Sequence, residues 1–380
     1  MQNHIKKKIF YWSPGFVHIA TFKAVINSAF SINKYSNDKV SFLLNFFGEF
    51  NPYFDQIEKK KLNLINFYNE KIIKFFPRYG FINSRVSFLL IFILSFFVLK
   101  KKLDQEKPEY LIIHQISSLP LILLIFFKFK TKFVLRISGY PKLNFIRKNL
   151  WKFALKKIHS VTCPTKLTVN KLINEKIVDN EKIFLLYDPI IEVNINKKKN
   201  FKKENFLLSI GRLTKQKNFI FLCKCIFNLK KKGFSNLILY IAGEGGEEQK
   251  KINRYIHNND LKKNIFLIGH KKNIYDYISR ARAVIIPSLY EDPGFVLIEA
   301  AYLRTLVISS DCINGPREII KKNVNGIQFQ SDNIESFLFE YSKFDKLKID
   351  DINLIIKKNF LKIKEFTVYN HFKNLNKILC

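Results

Sequence analysis

Phe206-Leu207-Leu208-Ser209-Ile210-Gly211-Arg212-Leu213-Thr214-Lys215-Gln216-Lys217-Asn218 runs from an apolar stretch into a glycine turn and then into basic and polar residues. An apolar run that ends in Gly reads as a strand of a parallel sheet covered on both faces. The pattern returns at Leu237–Ala242, Asn264–Gly269, Ala283–Pro287 and Thr305–Ser309, with helical patterns between. Such alternation predicts an α/β domain in which ligands bind beyond the carboxyl ends of the strands.

An earlier block has the same character. Ile5–Trp12, Lys39–Phe46, Glu109–His114, Lys132–Ser138, Ile158–Cys163 and Lys182–Tyr187 read as strands, and Val17–Asn33 as one of the intervening helices. After Asp188-Pro189 the Lys- and Asn-rich stretch Asn196–Asn205 suits a solvated linker. With 380 residues, two cores are expected. The reading gives an N-terminal domain over 1–190, a linker over 191–204, a C-terminal domain over 205–362 and a last segment, 363–380. Its helix, near Phe366–Leu379, is expected to pack back on the first domain.

Composition narrows the function classes. Hydrophobic residues at 47%, with few Gly and Pro, exclude a fibrous or disordered chain. The 65 Lys and Arg against 31 Asp and Glu leave +34, which favours an anionic partner, although a general bias towards Lys, Ile, Asn and Phe would raise the charge without any binding role. No nucleic-acid recognition motif accompanies the charge. Five scattered cysteines lack metal-binding spacing, which argues against a disulfide framework or a zinc site and for a reducing compartment. Cys223 and Cys225, two apart on a predicted helix, are expected to be one core and one surface thiol. The basic N-terminus runs into a strand without a cleavage site, so a cytoplasmic location is expected. Val86–Leu99 is uncharged and precedes Lys100, Lys101 and Lys102. As a helix it would span about 21 Å, short of a bilayer core of about 30 Å, and it reads as a core helix or a membrane-surface helix.

Several polar residues fall at predicted strand ends. Gly211 permits close backbone approach, Arg212 can fork onto phosphate oxygens and Lys217 adds a compact positive charge. Ala242-Gly243-Glu244-Gly245 reads as a tight strand-to-helix connection, and Ile268-Gly269-His270 ends the next strand, where backbone groups could meet a base. Pro287-Ser288-Leu289-Tyr290-Glu291-Asp292-Pro293-Gly294-Phe295-Val296-Leu297-Ile298-Glu299-Ala300 carries two glutamates eight positions apart. A helix starting near Gly294 would offer free N–H groups to an anion, with Glu299 one to two turns further in. In the first half His114 closes a strand, and either contacts a ligand or is structural.

These motifs resemble those of the retaining glycosyltransferases of family 4, within the glycosyl transferases group 1. The resemblance rests on Glu291 and Glu299, on Gly211, Arg212 and Lys217, on the Ala242–Gly245 turn, and on Asp311-Cys312-Ile313-Asn314-Gly315-Pro316-Arg317-Glu318. It covers about residues 205 to 330. It implies a glycosyltransferase B-type fold, with two facing Rossmann-like domains and an interdomain cleft closed by a hinge. It also implies a nucleoside-diphosphate sugar donor, transfer with retention, and neither metal nor cofactor. Arg212 and Lys217 would stabilise the leaving diphosphate, Gly294 and Phe295 would present backbone donors, Glu291 would orient the donor sugar, and Glu299 would hold the ribose. His114 would touch the transferred sugar or the acceptor. The first strand is followed by Ser13-Pro14-Gly15-Phe16, one glycine where the family commonly has two.

The expectation is thus a hexosyl or N-acetylhexosaminyl transferase, UDP-dependent, acting on a lipid-linked glycan, lipopolysaccharide or capsule precursor at the inner face of the cytoplasmic membrane. An anionic membrane surface is its expected partner, and nucleic acid is not. The alternatives are a catalytically silent partner subunit, a nucleotide-sugar 2-epimerase and a nucleic-acid-binding protein.

Overall fold

The computed structural model describes residues 6–15, 20–68, 81–141, 143–192 and 201–380. The expected strand start at Ile5, the helix start at Val17, Phe16, and 193–200 of the linker lie outside the described residues. The chain forms two compact units, Met1–Ile190 with Val368–Cys380, and Ile191–Thr367.

The first unit is built on a parallel sheet of β1 (Lys7–Trp12), β2 (Lys39–Asn45), β3 (Asn63–Asn66), β4 (Tyr110–Ile113), β5 (Lys132–Arg136), β6 (Ser160–Cys163) and β7 (Ile183–Leu185), in the order β3-β2-β1-β4-β5-β6-β7. Side chains alternate across the pleat, so Ile9 and Tyr11 join one core while Phe10 and Trp12 join the other. Helices Ala20–Tyr35 and Val368–Ile378 pack on the first face. Helices Phe81–Glu106, Ser118–Phe126, Phe145–Lys157 and Lys166–Asn174 pack on the second. With apolar residues buried on both sides, the strands are the near-continuous hydrophobic runs seen in the sequence.

The helix expected over Val86–Leu99 is longer, 26 residues from Phe81 to Glu106. It continues through the lysine run because Lys100 pairs with Asp104 and Lys102 with Glu106, one turn on. Ile91, Leu99 and Leu103 enter the core, so one side of this helix is a core element. Among the described residues no helix is long and apolar enough to cross a membrane.

The last helix is held by a buried polar chain. His371 Nδ1 lies 2.7 Å from the carbonyl of Tyr187, and Nε2 lies 2.8 Å from Ser28 Oγ, itself 2.9 Å from Tyr11 Oη. A carbonyl only accepts, so Nδ1 carries the proton, Nε2 accepts from Ser28, and Tyr11 donates to Ser28.

The second unit repeats the plan with β8 (Glu204–Ile210), β9 (Leu239–Ala242), β10 (Ile265–Gly269), β11 (Ala281–Ile286), β13 (Leu306–Ser310) and β15 (Ile327–Phe329), ordered β10-β9-β8-β11-β13-β15. The short strands β12 (Tyr290–Glu291) and β14 (Ile313–Asn314) pair in parallel, placing Glu291 opposite Asn314. Both orders are those of a doubly wound sheet, which reverses between β1 and β4 and again between β8 and β11. The α/β class with two Rossmann-like units is therefore the architecture of the chain.

One expectation is corrected: Cys223 and Cys225 are both fully buried. Their helix, Phe219–Lys231, lies under the neighbouring helices Gly246–Asn258 and Ile334–Asp345 as well as on the sheet, so two of its faces are covered. Burial pushes the Cys223 thiol up to about 12, which leaves it unreactive at neutral pH.

Candidate functional site

The residues singled out in the second half converge at the carboxyl ends of β8, β9, β10 and β11, at the topological switch point. Glycines let the loops approach. Gly243 has φ +145°, and a Cβ there would stand 1.9 Å from the Gly211 carbonyl oxygen, so only a residue without one allows the turns after β8 and β9 to touch. At Gly315 a Cβ would meet the Pro293 carbonyl oxygen at 1.4 Å, which seats the Gly315-Pro316 segment against the loop carrying Glu291.

Hydrogen bonds hold these loops together. Leu289 N–H donates to the Gln216 carbonyl at 2.9 Å, and Gln216 Nε2 returns a bond to the Tyr290 carbonyl at 2.9 Å. Ser310 Oγ at the end of β13 donates to the Ser288 carbonyl at 2.6 Å. The result is a fixed frame for Lys217 and Glu291, whose charged ends meet at 2.5 Å. Ser288 Oγ donates to the same Glu291 oxygen, Oε1, at 2.6 Å. The Lys217 stem lies over Gly211, where an added Cβ would be 3.2 Å from Cε. Glu291 is buried, whereas Arg212 is exposed and forms no ion pair among the described residues.

Helix Phe295–Tyr302 begins directly after Gly294, whose φ of +99° turns the chain into it. Its first N–H groups have no carbonyl inside the helix to bind, which is the feature that makes a helix start suited to an anion. Glu299, half-buried on this helix, accepts from Tyr275 Oη at 3.0 Å. His270 is exposed on the turn after β10, and its backbone N–H donates to Glu244 Oε1 at 3.3 Å. Among the described residues no group of His, Cys, Asp and Glu could hold a metal ion.

His114 belongs to the first unit, at the end of β4. It is buried against the Tyr11 ring, centroids 5.9 Å apart, and neither ring nitrogen has a hydrogen-bond partner. Burial first, then Arg136 and His371, holds its pKa well below the usual histidine value, so it is neutral at neutral pH. Beside it Arg136 is buried and paired in bidentate fashion with Asp188, through Nε at 2.8 Å and through the second carboxylate oxygen.

Two residues that hydrogen-bond to these glutamates escape a reading of spacing alone. Ser288 carries a faint signal, a hydroxyl just past a strand and three positions before Glu291. Tyr275 carries none, because only the packing of helix Ile274–Arg280 beside Phe295–Tyr302 brings it to Glu299.

Comparison with known proteins points one way. Residues 191–347 match the family described as glycosyl transferases group 1. Among curated relatives, the Campylobacter jejuni GalNAc-alpha-(1->4)-GalNAc-alpha-(1->3)-diNAcBac-PP-undecaprenol alpha-1,4-N-acetyl-D-galactosaminyltransferase is 27% identical over 237 residues, which is 61% of this chain and 64% of that protein. The chain spans between 31% and 64% of the length of the first curated relatives it matches. Among solved structures, TarM superposes with a TM-score of 0.77 at 15% identity, covering 100% of both chains. Anabaena Alr3699/HepE in complex with UDP and glucose gives 0.74 at 12%, covering 98% of this chain and 99% of that one. These two likenesses establish a shared fold, the B-type glycosyltransferase architecture.

Proposed function

We propose, taking as premise that residues 191–347 belong to the glycosyl transferases group 1, that the chain is a glycosyltransferase that moves a sugar from a nucleoside diphosphate donor with retention. The donor is UDP-linked and carries a hexose or N-acetylhexosamine. The acceptor is a lipid-linked glycan, lipopolysaccharide or capsule precursor, met at the inner surface of the cytoplasmic membrane. No metal or cofactor is invoked beyond the donor.

The observation that carries this reading is the joining of Lys217, Ser288 and Glu291 beside the start of helix Phe295–Tyr302. Departure of a nucleoside diphosphate leaves negative charge on phosphate oxygens. Arg212, Lys217 and the N–H groups after Gly294 supply positive charge and donors for it, in place of a divalent ion. Glu299 is suited to accept from ribose hydroxyls, and Glu291, with one oxygen held by Lys217 and Ser288, directs its other oxygen at a sugar hydroxyl. Neither carboxylate is assigned as a nucleophile. Neutral His114 is suited to donate to a hydroxyl of the transferred sugar or of the acceptor. Among relatives and neighbours, the N-acetylgalactosaminyltransferase named for its undecaprenol-linked substrate and the complex holding UDP and glucose support the choice of acceptor and donor.

The test is a panel of UDP-, GDP- and ADP-sugars against the purified protein, with and without chelator, read by thermal shift and by slow release of nucleoside diphosphate. Stabilisation and turnover with one UDP-sugar, unchanged by chelator, is the expected result. Stabilisation without release would indicate a silent partner subunit, and no response to any donor would overturn the reading.

A further inference from the structure

The outer surface of the first unit carries large apolar side chains that are exposed among the described residues. On helix Phe81–Glu106, Leu89, Ile93 and Phe97 recur every fourth residue and so form one stripe, with Phe97 73% exposed. On helix Phe145–Lys157, Ile146 and Phe153 lie on one side, 78% and 53% exposed, and Phe126 at the end of the helix between them is 72% exposed. These three helices are packed in sequence on the same face of the sheet. Side-chain contacts tie their ends together. Lys100 Nζ sits 4.8 Å over the Phe127 ring, and Lys157 Nζ donates to the Ile125 carbonyl at 2.8 Å.

The charge around this apolar surface is mainly positive, the acids Asp104 and Glu106 at the end of the first helix being paired with Lys100 and Lys102. From Tyr110 through Asn174 the chain contains no Asp or Glu and twelve Lys or Arg. That run includes Lys156 and Lys157 on the outer helix and Lys128 just past Phe126, while Lys101 follows Phe97 on the first helix. A general bias towards lysine explains more positive charge everywhere, but not the loss of every acid from one stretch of a chain that has 31 of them.

We infer that this three-helix face docks the first unit onto an anionic lipid surface. Phenylalanine, leucine and isoleucine enter the boundary between headgroups and acyl chains, and the lysines, with flexible stems, reach the lipid phosphates. A second copy of the chain fits less well, because a two-fold contact would set this lysine-rich patch against itself. Duplex nucleic acid would use the lysines but leave the apolar stripe in water. The inference deepens the proposed function, since the face would bring the enzyme to a lipid-linked acceptor.

The experiment is sedimentation of the full chain, without donor or acceptor, with phosphatidylcholine vesicles and with mixed phosphatidylcholine–phosphatidylglycerol vesicles at physiological salt. Wild type should pellet with the mixed vesicles only. Lys101→Ala with Lys156→Ala should weaken partitioning about 25-fold, from about fivefold per lysine near the surface. Phe97→Ser with Phe153→Ser should weaken it about tenfold or more, with circular dichroism and melting temperature unchanged. Lys262→Ala with Lys263→Ala, exposed residues of the second unit, should have little effect. Equal binding by all variants, or equal loss in the control pair, overturns the inference. So does a wild-type dimer that Phe97→Ser dissociates, which would give the face to self-association. Because no donor is present, failure here leaves the proposed transferase chemistry to be judged by the donor panel alone.

Discussion

Lys217 Nζ and Glu291 Oε1 are 2.5 Å apart although the residues are 74 positions apart in the chain. One follows β8 and the other follows β11, so the pair spans the place where the sheet reverses its order. The same oxygen accepts from Ser288 Oγ, and two donors on Oε1 hold the carboxylate in place. Glu291→Gln should lower turnover about a hundredfold or more, the size of effect seen when an oriented polar group is lost from a reacting centre. Ser288→Ala should cost about tenfold, as loss of one hydrogen bond to a charged group. Steady-state kinetics beside circular dichroism checks this, and wild-type turnover in both variants would sink the assignment.

Arg212→Ala and Glu299→Ala should each weaken donor use severely while leaving the fold intact, since Arg212 is exposed and Glu299 is half-buried. Tyr275→Phe removes the 3.0 Å bond to Glu299 and should raise the KM for the donor a few-fold with kcat little changed. Donor titration by calorimetry, with melting curves as the fold control, separates these effects. A Glu299→Ala variant that binds donor as tightly as wild type would remove this residue from the site.

Gly243→Ala should be strongly destabilising, because the new Cβ would lie 1.9 Å from the Gly211 oxygen in a backbone conformation, φ +145°, that L residues avoid. The expected loss is about 2 kcal/mol or more, or about 4 °C or more in melting temperature. Gly233→Ala is the matched control: its φ is +99°, but nothing lies within 4 Å of its added Cβ, so it carries backbone strain without a clash. Equal melting temperatures for the two variants would show that close approach of the two turns is not what the glycine provides.

Stability should fall as pH drops below about 6.5, the ordinary histidine value, because burial pulls the His371 pKa down to about 4. Between these values the unfolded chain binds a proton that the folded chain refuses, so stability is complete above the unfolded pKa and is lost towards the folded one. The loss from this group is on the order of 3 kcal/mol. His114, shifted in the same direction, adds to it. Urea unfolding of wild type and His371→Asn across this pH range is the check. The variant should show the shallower dependence, and an unchanged slope would show that His371 does not carry the effect.

How much of this was legible beforehand follows from how local each feature is. The strands that line both cores are continuous apolar runs, and their glycine ends are chemical requirements of tight turns, so Phe206–Gly211 and its repeats announced a parallel α/β sheet without any tertiary information. The glutamate pair and the Gly-Arg-Lys segment were legible as motifs for the same reason. β3, β12, β14 and β15 were not, because two to four residues carry no usable period. The length of the helix over Phe81–Glu106 depended on lysine–acid pairs one turn apart, which a hydrophobic window passes over. The burial of both Cys223 and Cys225 depended on a second layer of helices.

What the sequence by itself determined is the class of the fold, the two blocks and the residue types available at the strand ends. What only the tertiary structure decided is which of those residues touch: Lys217 with Glu291, Tyr275 with Glu299, and His371 with Tyr187 and Ser28. Backbone propensity and hydrophobic period act over a few residues, whereas these contacts join positions brought together by strand order and helix packing. Their geometry is a property of the packed sheet, not of either segment alone.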